Sequence, residues 1–209
     1  MSSTRLLVLG TVRIFQPVHG YFVRRELLSW RADHWASVNP GSIYSALRTL
    51  TRDGFLEELE PESQASRPAR TSYRLTDDGE TEFFVLLREA MWRESPTDPS
   101  ELMAALCFMW ALSREEVIAA LEHRIAHLDA AHRGLPFAID GLLQQPDKSR
   151  HIAELFMLSD ARQHGEREWA AACLERVRGG EYVFAGEPWP EDTHGPEPPR
   201  RSAGMSNPT

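Results

Sequence analysis

Residues 39–59 limit what this chain can fold into more than any other stretch. Asn39 is a favourable helix N-cap, Pro40 fits the first turn, and Gly54 stands where a helix should stop. Between them Ile43, Ala46, Leu47 and Leu50 recur at helical spacing, which predicts a helix with one buried stripe. The outward face then holds Gly41, Ser42, Tyr44, Ser45, Arg48 and Arg52, with no carboxylate until Asp53. Hydroxyls, a phenol and guanidiniums suit a polyanion with hydrogen-bonding edges, as a helix lying in a DNA groove requires. An ordinary amphipathic helix with a mixed polar face is the plainer reading of the same pattern.

The next residues separate the two. Residues 55–59 read as a strand, 60–68 are polar with two prolines, and 71–75 read as a second strand. The hairpin so formed carries Arg67 and Arg70 at its tip. A capped helix followed at once by a basic-tipped hairpin is the order of a winged helix-turn-helix, in which the helix reads the major groove and the wing grips the backbone. Upstream, residues 4–15 and 19–31 supply two supporting helices. The first, with Leu6, Leu7, Leu9, Val12 and Ile14, is apolar almost all round and should be buried, with some surface left for a partner subunit. His19 lies beside the DNA side in a capping or turn role; Arg24 and Arg25 read equally as phosphate contacts or as solvated charge.

The same residues resemble a family. His19-Gly20-Tyr21, the run Gly41 to Leu47, Asp53-Gly54, and Arg70 through Tyr73-Arg74-Leu75-Thr76 to Gly79 are similar to the PadR family of bacterial transcriptional regulators. The family has a proline where this chain has Ser45. The resemblance covers roughly the first 80 residues. It implies a DNA-binding repressor, usually dimeric, with a helical C-terminal half of the longer-tailed branch, and a response to small planar ligands.

Net charge of −8 is unusual for a DNA binder, so its distribution matters. Residues 1–75 hold ten Arg against seven Asp and Glu, a net +3; residues 76–209 carry −11. Positive charge is thus gathered where the motif lies. Lys148 is the only lysine, which leaves nucleic-acid contacts to arginine and its planar fork. The longest apolar run, residues 102–112, is too short for a bilayer, which needs ~20 residues, and no signal peptide is evident. A cytoplasmic location is expected. Cys107 and Cys173 sit in apolar helical stretches and read as reduced core residues.

Residues 76–94 form another helix with acidic residues in its first turn, and 95–99 are the clearest linker. Residues 100–112 read as a helix. Ser113 with Glu116 is a capping box opening a helix whose Ile118, Leu121, Ile125 and Leu128 form a coiled-coil-like seam. Gly134-Leu135-Pro136 should interrupt it. The last long helix spans 149–178, with Ile152, Leu155, Phe156, Trp169, Cys173 and Val177 inward. The expected fold is mainly α: a winged helix-turn-helix domain with a two-stranded wing over 1–94, a helical dimerisation and effector domain over 95–185, and a disordered tail over 186–209.

No nucleophile–base pair, phosphate-cradling loop or paired-carboxylate motif appears, so no enzymatic activity and no cofactor are expected. His123 and His127 share a helix face, but a lone pair without the zinc-protease glutamate does not make a metal site. Trp92, Phe108, Trp110 and Trp169 form either core and interface or an effector pocket for a planar aromatic molecule. The expected function is a homodimeric repressor of double-stranded operator DNA. Contacts would come from Ser42, Tyr44, Ser45, Arg48, Arg52, Arg67 and Arg70, and dimerisation from Ile118, Leu121, Ile125, Leu128 and Trp169. The alternatives are a winged-helix protein-interaction module, or a metal- or redox-responsive sensor.

Overall fold

The computed structural model describes residues 3–36, 38–59, 71–95, 98–145 and 150–188. The described chain is mainly helical, and it divides into two compact units: residues 3–88 with 103–108, and residues 89–102 with 109–188.

In the first unit, α1 (Ser3–Phe15) is followed by β1 (Val18–His19), α2 (Gly20–Ser29), a short α3 (Ala32–Trp35) and α4 (Pro40–Arg52). Strands β2 (Leu56–Leu59) and β3 (Ser72–Leu75) precede α5 (Asp77–Trp92). The helix predicted from residue 40 forms as expected, closed by a capping box: Asn39 Oδ1 accepts from the Ser42 amide, and Ser42 Oγ accepts from the Asn39 amide, both at 2.9 Å. Its stripe is buried, with Ile43, Leu47 and Leu50 at most 1 % exposed. The wing hairpin pairs β2 with β3 antiparallel, Leu56 opposite Leu75. A third strand, β1, joins the other edge of β3, Val18 opposite Tyr73. That strand is only two residues long, below what alternation in a sequence reveals.

Two glycines are fixed by close approach. A Cβ on Gly79 would fall 1.9 Å from the Phe55 carbonyl oxygen, where the first turn of α5 crosses the start of the wing. A Cβ on Gly10 would fall 2.3 Å from Cζ of Phe108, whose ring also meets Trp30 and Phe83 edge-on. Residues Leu6 to Arg13 of α1 are all buried, and Arg13 is neutralised by a bidentate pair with Glu80 at 2.9–3.0 Å.

α6 (Ser100–Leu106) stops short of the expected 112, and a single 3₁₀ turn follows over Met109–Ala111. The second unit is dominated by an antiparallel hairpin of α7 (Arg114–Leu143) and α8 (Ala153–Arg178). Ser113 and Glu116 form the expected capping box. The interruption at Gly134-Leu135-Pro136 does not occur: α7 runs through Pro136. A proline costs a helix interior about 3 kcal/mol, yet half-buried Leu135, Ile139, Leu142 and Leu143 carry the apolar stripe past it. Val117, Ala120, Leu121, Leu128, Ala170, Cys173, Leu174 and Val177 form the unit's core. Leu155, expected inward, is 68 % exposed.

Residues 186–188, expected to begin the tail, are packed. The Arg114 guanidinium donates to both Glu187 carboxylate oxygens (2.6 and 2.8 Å) and to the Val177 and Tyr182 carbonyls, and lies over the Phe184 ring. The paired guanidinium holds the Glu187 carboxyl below its ordinary range. The rest of the expected tail, residues 189–209, lies outside the described residues.

Candidate nucleic-acid interface

The outward face of α4 presents Tyr44, Ser45 and Arg48 to solvent, as expected from the helical spacing. Beside it, His19, Gly20, Tyr21, Tyr44, Thr71 and Tyr73 line an open concavity of about 600 Å³. Each wall has a local cause. Gly20 opens α2 with so little bulk that the Tyr44 ring and Leu47 of α4 pack directly on it. The β1–β3 pairing sets Tyr73 and Thr71 alongside His19. Tyr21 projects from the first turn of α2 and is 60 % exposed. None of these six residues carries a fixed charge.

His19 is held by β3. Its Nδ1 lies 3.1 Å from the Thr71 carbonyl oxygen and 3.0 Å from Ser72 Oγ. A carbonyl only accepts, so Nδ1 carries the proton in that contact and Nε2 is the open ring nitrogen. The expected cap is therefore a strand-to-strand tie: His19 occupies the N-cap position of α2 without a side-chain cap bond. Partial burial, and then the Glu58 carboxylate hydrogen-bonded to it, push the Tyr73 phenol up; Arg48 acts in the opposite sense. Tyr73 is thus kept protonated with its O–H donated to the Glu58 carboxylate, within electrostatic reach of Arg48 and Tyr44.

Two of the expected contacts have structural partners. The Ser42 hydroxyl accepts from the Asn39 amide and donates to the Asn39 carbonyl, which spends it largely on the cap. Arg52 is 74 % exposed at its side chain but is paired with Asp53 at 3.0 Å. Arg67 and Arg70 lie outside the described residues. Tyr21 and Tyr73 were not assigned to the interface by sequence reasoning, and His19 was placed beside it only in a capping or turn role; the β1–β3 pairing brings His19 and Tyr73 toward Tyr44, and the packing of α2 on α4 brings Tyr21.

The other expected sites fare unevenly. Phe108 is fully buried beneath Gly10 and cannot line an effector pocket without dismantling the first unit's core. In the second unit, Trp92 is 43 % exposed with its ring 5.1 Å from that of His123, and Trp110 and Trp169 are half-buried. Of the dimerisation seam, Leu121 and Leu128 are already buried within the chain, whereas Ile118 and Ile125 are half-buried. Glu94 takes up both histidines of the α7 pair, His127 at 2.6 Å and His123 at 3.6 Å. Among the described residues no group of three ligating side chains is placed to hold a metal ion. Burial pushes the Cys107 thiol up to about 11 and raises Cys173 as well, which opposes a redox role.

A capped helix, a supporting helix pair and an antiparallel wing define the first unit as a winged helix-turn-helix domain. Residues 8–84 match the model of the transcriptional regulator PadR-like family. Similar solved structures include Bacillus subtilis PadR in complex with operator DNA, 21 % identical over 83 % of this chain and 98 % of that one, with a TM-score of 0.37. The same protein in complex with p-coumaric acid is 20 % identical over 84 % and 99 %, with a TM-score of 0.33. The smu.1604c protein of Streptococcus mutans UA159 is 17 % identical over 84 % and 99 %, with a TM-score of 0.38. No curated protein matches the chain. Among the described residues no helix is long and apolar enough to cross a membrane.

Proposed function

We propose that this chain is a homodimeric, sequence-specific transcriptional repressor that reads operator DNA with α4. The observation that carries the reading is the α4 face itself: Tyr44, Ser45 and Arg48 stand exposed in a row beside a phenol-lined concavity, with no carboxylate among the three. Residues 1–94 form the DNA-binding part, with Arg67 and Arg70 gripping backbone from the wing; residues 95–185 provide dimerisation and effector response. A second copy would cover the apolar surface that the α7–α8 hairpin leaves open, Phe137 (81 % exposed), Leu155 (68 %) and Leu158 (61 %), together with the half-buried Ile118 and Ile125. Two α4 helices would then enter successive major grooves about one helical turn apart. Trp92, with Trp110 and Trp169 on the same unit, offers aromatic faces for a planar effector, which would act by binding one dimer geometry better than the other.

Fluorescence anisotropy on a labelled duplex from upstream of the chain's own gene tests this, with Tyr44→Ala and Arg48→Ala beside wild type at two salt concentrations. Both variants should lose about tenfold or more in affinity, and Arg48→Ala should lower the salt slope by about 1 if it contacts phosphate. Wild-type binding that is equal on any duplex, or that survives both substitutions, overturns the reading.

A further inference from the structure

Helix α2 carries two adjacent arginines whose surroundings differ. Arg25 is exposed, with its guanidinium 4.5 Å over the Phe22 ring. Arg24 is half-buried: its Nε is covered and meets no acceptor, and among the described residues no hydrogen bond or ion pair holds its fork. Arg5, Arg13 and Arg52 of the same unit are each matched by a carboxylate, Glu82, Glu80 and Asp53 in turn. A guanidinium carries a permanent charge, and covering one of its N–H groups without an acceptor is costly until a ligand supplies one.

We propose that Arg24 is a DNA-phosphate contact supplied by α2, a fixed cation held beside α4 that sets where the recognition helix sits along the duplex. The inference rests on the DNA-binding reading above and adds to that interface a residue from a second helix. Its place follows from helix geometry. Arg24 is four residues after Gly20 and three after Tyr21, so the three share one side of α2. Side chains of a helix lean toward its N-terminus, which carries Arg24 over the turn holding Gly20 and Tyr21. That turn is where α2 meets α4: a Cβ on Gly20 would fall 3.1 Å from the Tyr44 ring, and Gly20, Tyr21 and Tyr44 all line the concavity.

A phosphodiester suits the vacancy on this fork. Its two free oxygens can take the Nε–H and a terminal N–H side by side, the paired geometry in which arginine binds phosphate best. The Tyr21 phenol from α2 and the Tyr44 phenol from α4 border the same place as neutral donors. Such a contact touches no base edge, so Arg24 adds affinity and register, and sequence preference stays with α4.

The test titrates the full chain with the labelled upstream duplex and with a scrambled duplex over a range of salt, wild type beside Arg24→Gln, Arg24→Lys and Arg25→Gln. Arg24→Gln should lose about five- to tenfold in affinity on both duplexes alike, with a salt slope lower by about 1 per contacting subunit. Arg24→Lys keeps the charge without the fork, so it should restore the slope and only part of the affinity. Arg25→Gln should stay within about threefold of wild type, the effect of a screened charge that makes no contact. Free Arg24→Gln should unfold at the wild-type urea concentration, because it gives up no protein partner. In wild-type protein the Arg24 Nε–H gives a second reading by NMR: its signal should shift and its exchange with water should slow when the upstream duplex is added. Unchanged affinity or slope in Arg24→Gln, a loss confined to the upstream duplex, an equal loss in Arg25→Gln, a fall in stability that accounts for the lost binding, or an Nε–H signal unmoved by DNA overturns the inference while leaving the DNA reading intact. Wild type that binds neither duplex overturns both.

Discussion

In the winged unit Phe83, Phe108, Leu7, Leu9, Leu27, Ile43 and Leu47 are all fully buried, and aromatic edges meet within 6 Å. Along α7–α8 the fully buried apolar side chains are gathered mainly at the end where α7 begins and α8 finishes, and toward the other end, Ala153 apart, the stripe is only half-buried. Farther out the two helices are joined by Arg167–Asp129 and His132–Asp160, at 2.9 and 2.7 Å, both between part-exposed side chains. Exposed ion pairs of that kind are screened by water and contribute little. Past them Phe137, Leu155 and Leu158 face water. One unit satisfies its apolar surface internally, and the other leaves part of it for something else to cover. A stability defect should therefore arise most sharply in the first unit, and an assembly defect in the second.

The most severe way to break the comparison is Gly79→Ala. The added methyl has only the Phe55 carbonyl to displace, so the wing must leave α5. Urea unfolding should show a loss of ~4 kcal/mol or more, at the upper end for a single substitution; a loss under ~1 kcal/mol would mean that the wing and α5 are not locked together. Next comes the double variant Phe137→Asp, Leu158→Asp. Both sites are open to water, so unfolding of the monomer should change by no more than ~0.5 kcal/mol per site. Sedimentation velocity should nevertheless move the protein from dimer to monomer. A dimer that persists would place the interface elsewhere on the chain. The smallest effect concerns Cys107. Its folded thiol is pushed up to about 11 by burial, above the ordinary value of 9.0, so the unfolded chain ionises first as pH rises. Its contribution is fully present below pH ~9 and declines as pH rises toward 11. At pH 7.5 iodoacetamide should alkylate Cys107 far more slowly in native than in urea-unfolded protein, as mass spectrometry would read.

The capped α4 and the opening of α7 could be read from the chain because each is specified by residues a few positions apart, Asn39 with Ser42 and Ser113 with Glu116, and the wing because its two strands, paired Leu56 to Leu75, are each marked by their own short run. What could not be read depends on long separations. Strand β1 exists only because Val18 finds Tyr73, and that pairing brings His19 beside Tyr73 at the interface. Phe108 looked available in an aromatic-rich stretch; the missing side chain of Gly10, nearly a hundred residues earlier, is what takes it into the core. Pro136 misled for the opposite reason, since a local helix breaker was overruled by packing along the whole of α7.

The Arg114 clasp has a practical consequence for anyone handling this protein. Four of its acceptors come from residues 177, 182 and 187, and Phe184 fills the space beneath it at 3 % exposure. Shortening the chain to the end of α8 would strand a guanidinium and uncover the first turn of α7, so a trimmed version ending at 180 should aggregate. Purification tags and fluorescent fusions belong after residue 188, where they leave the Arg114 clasp intact.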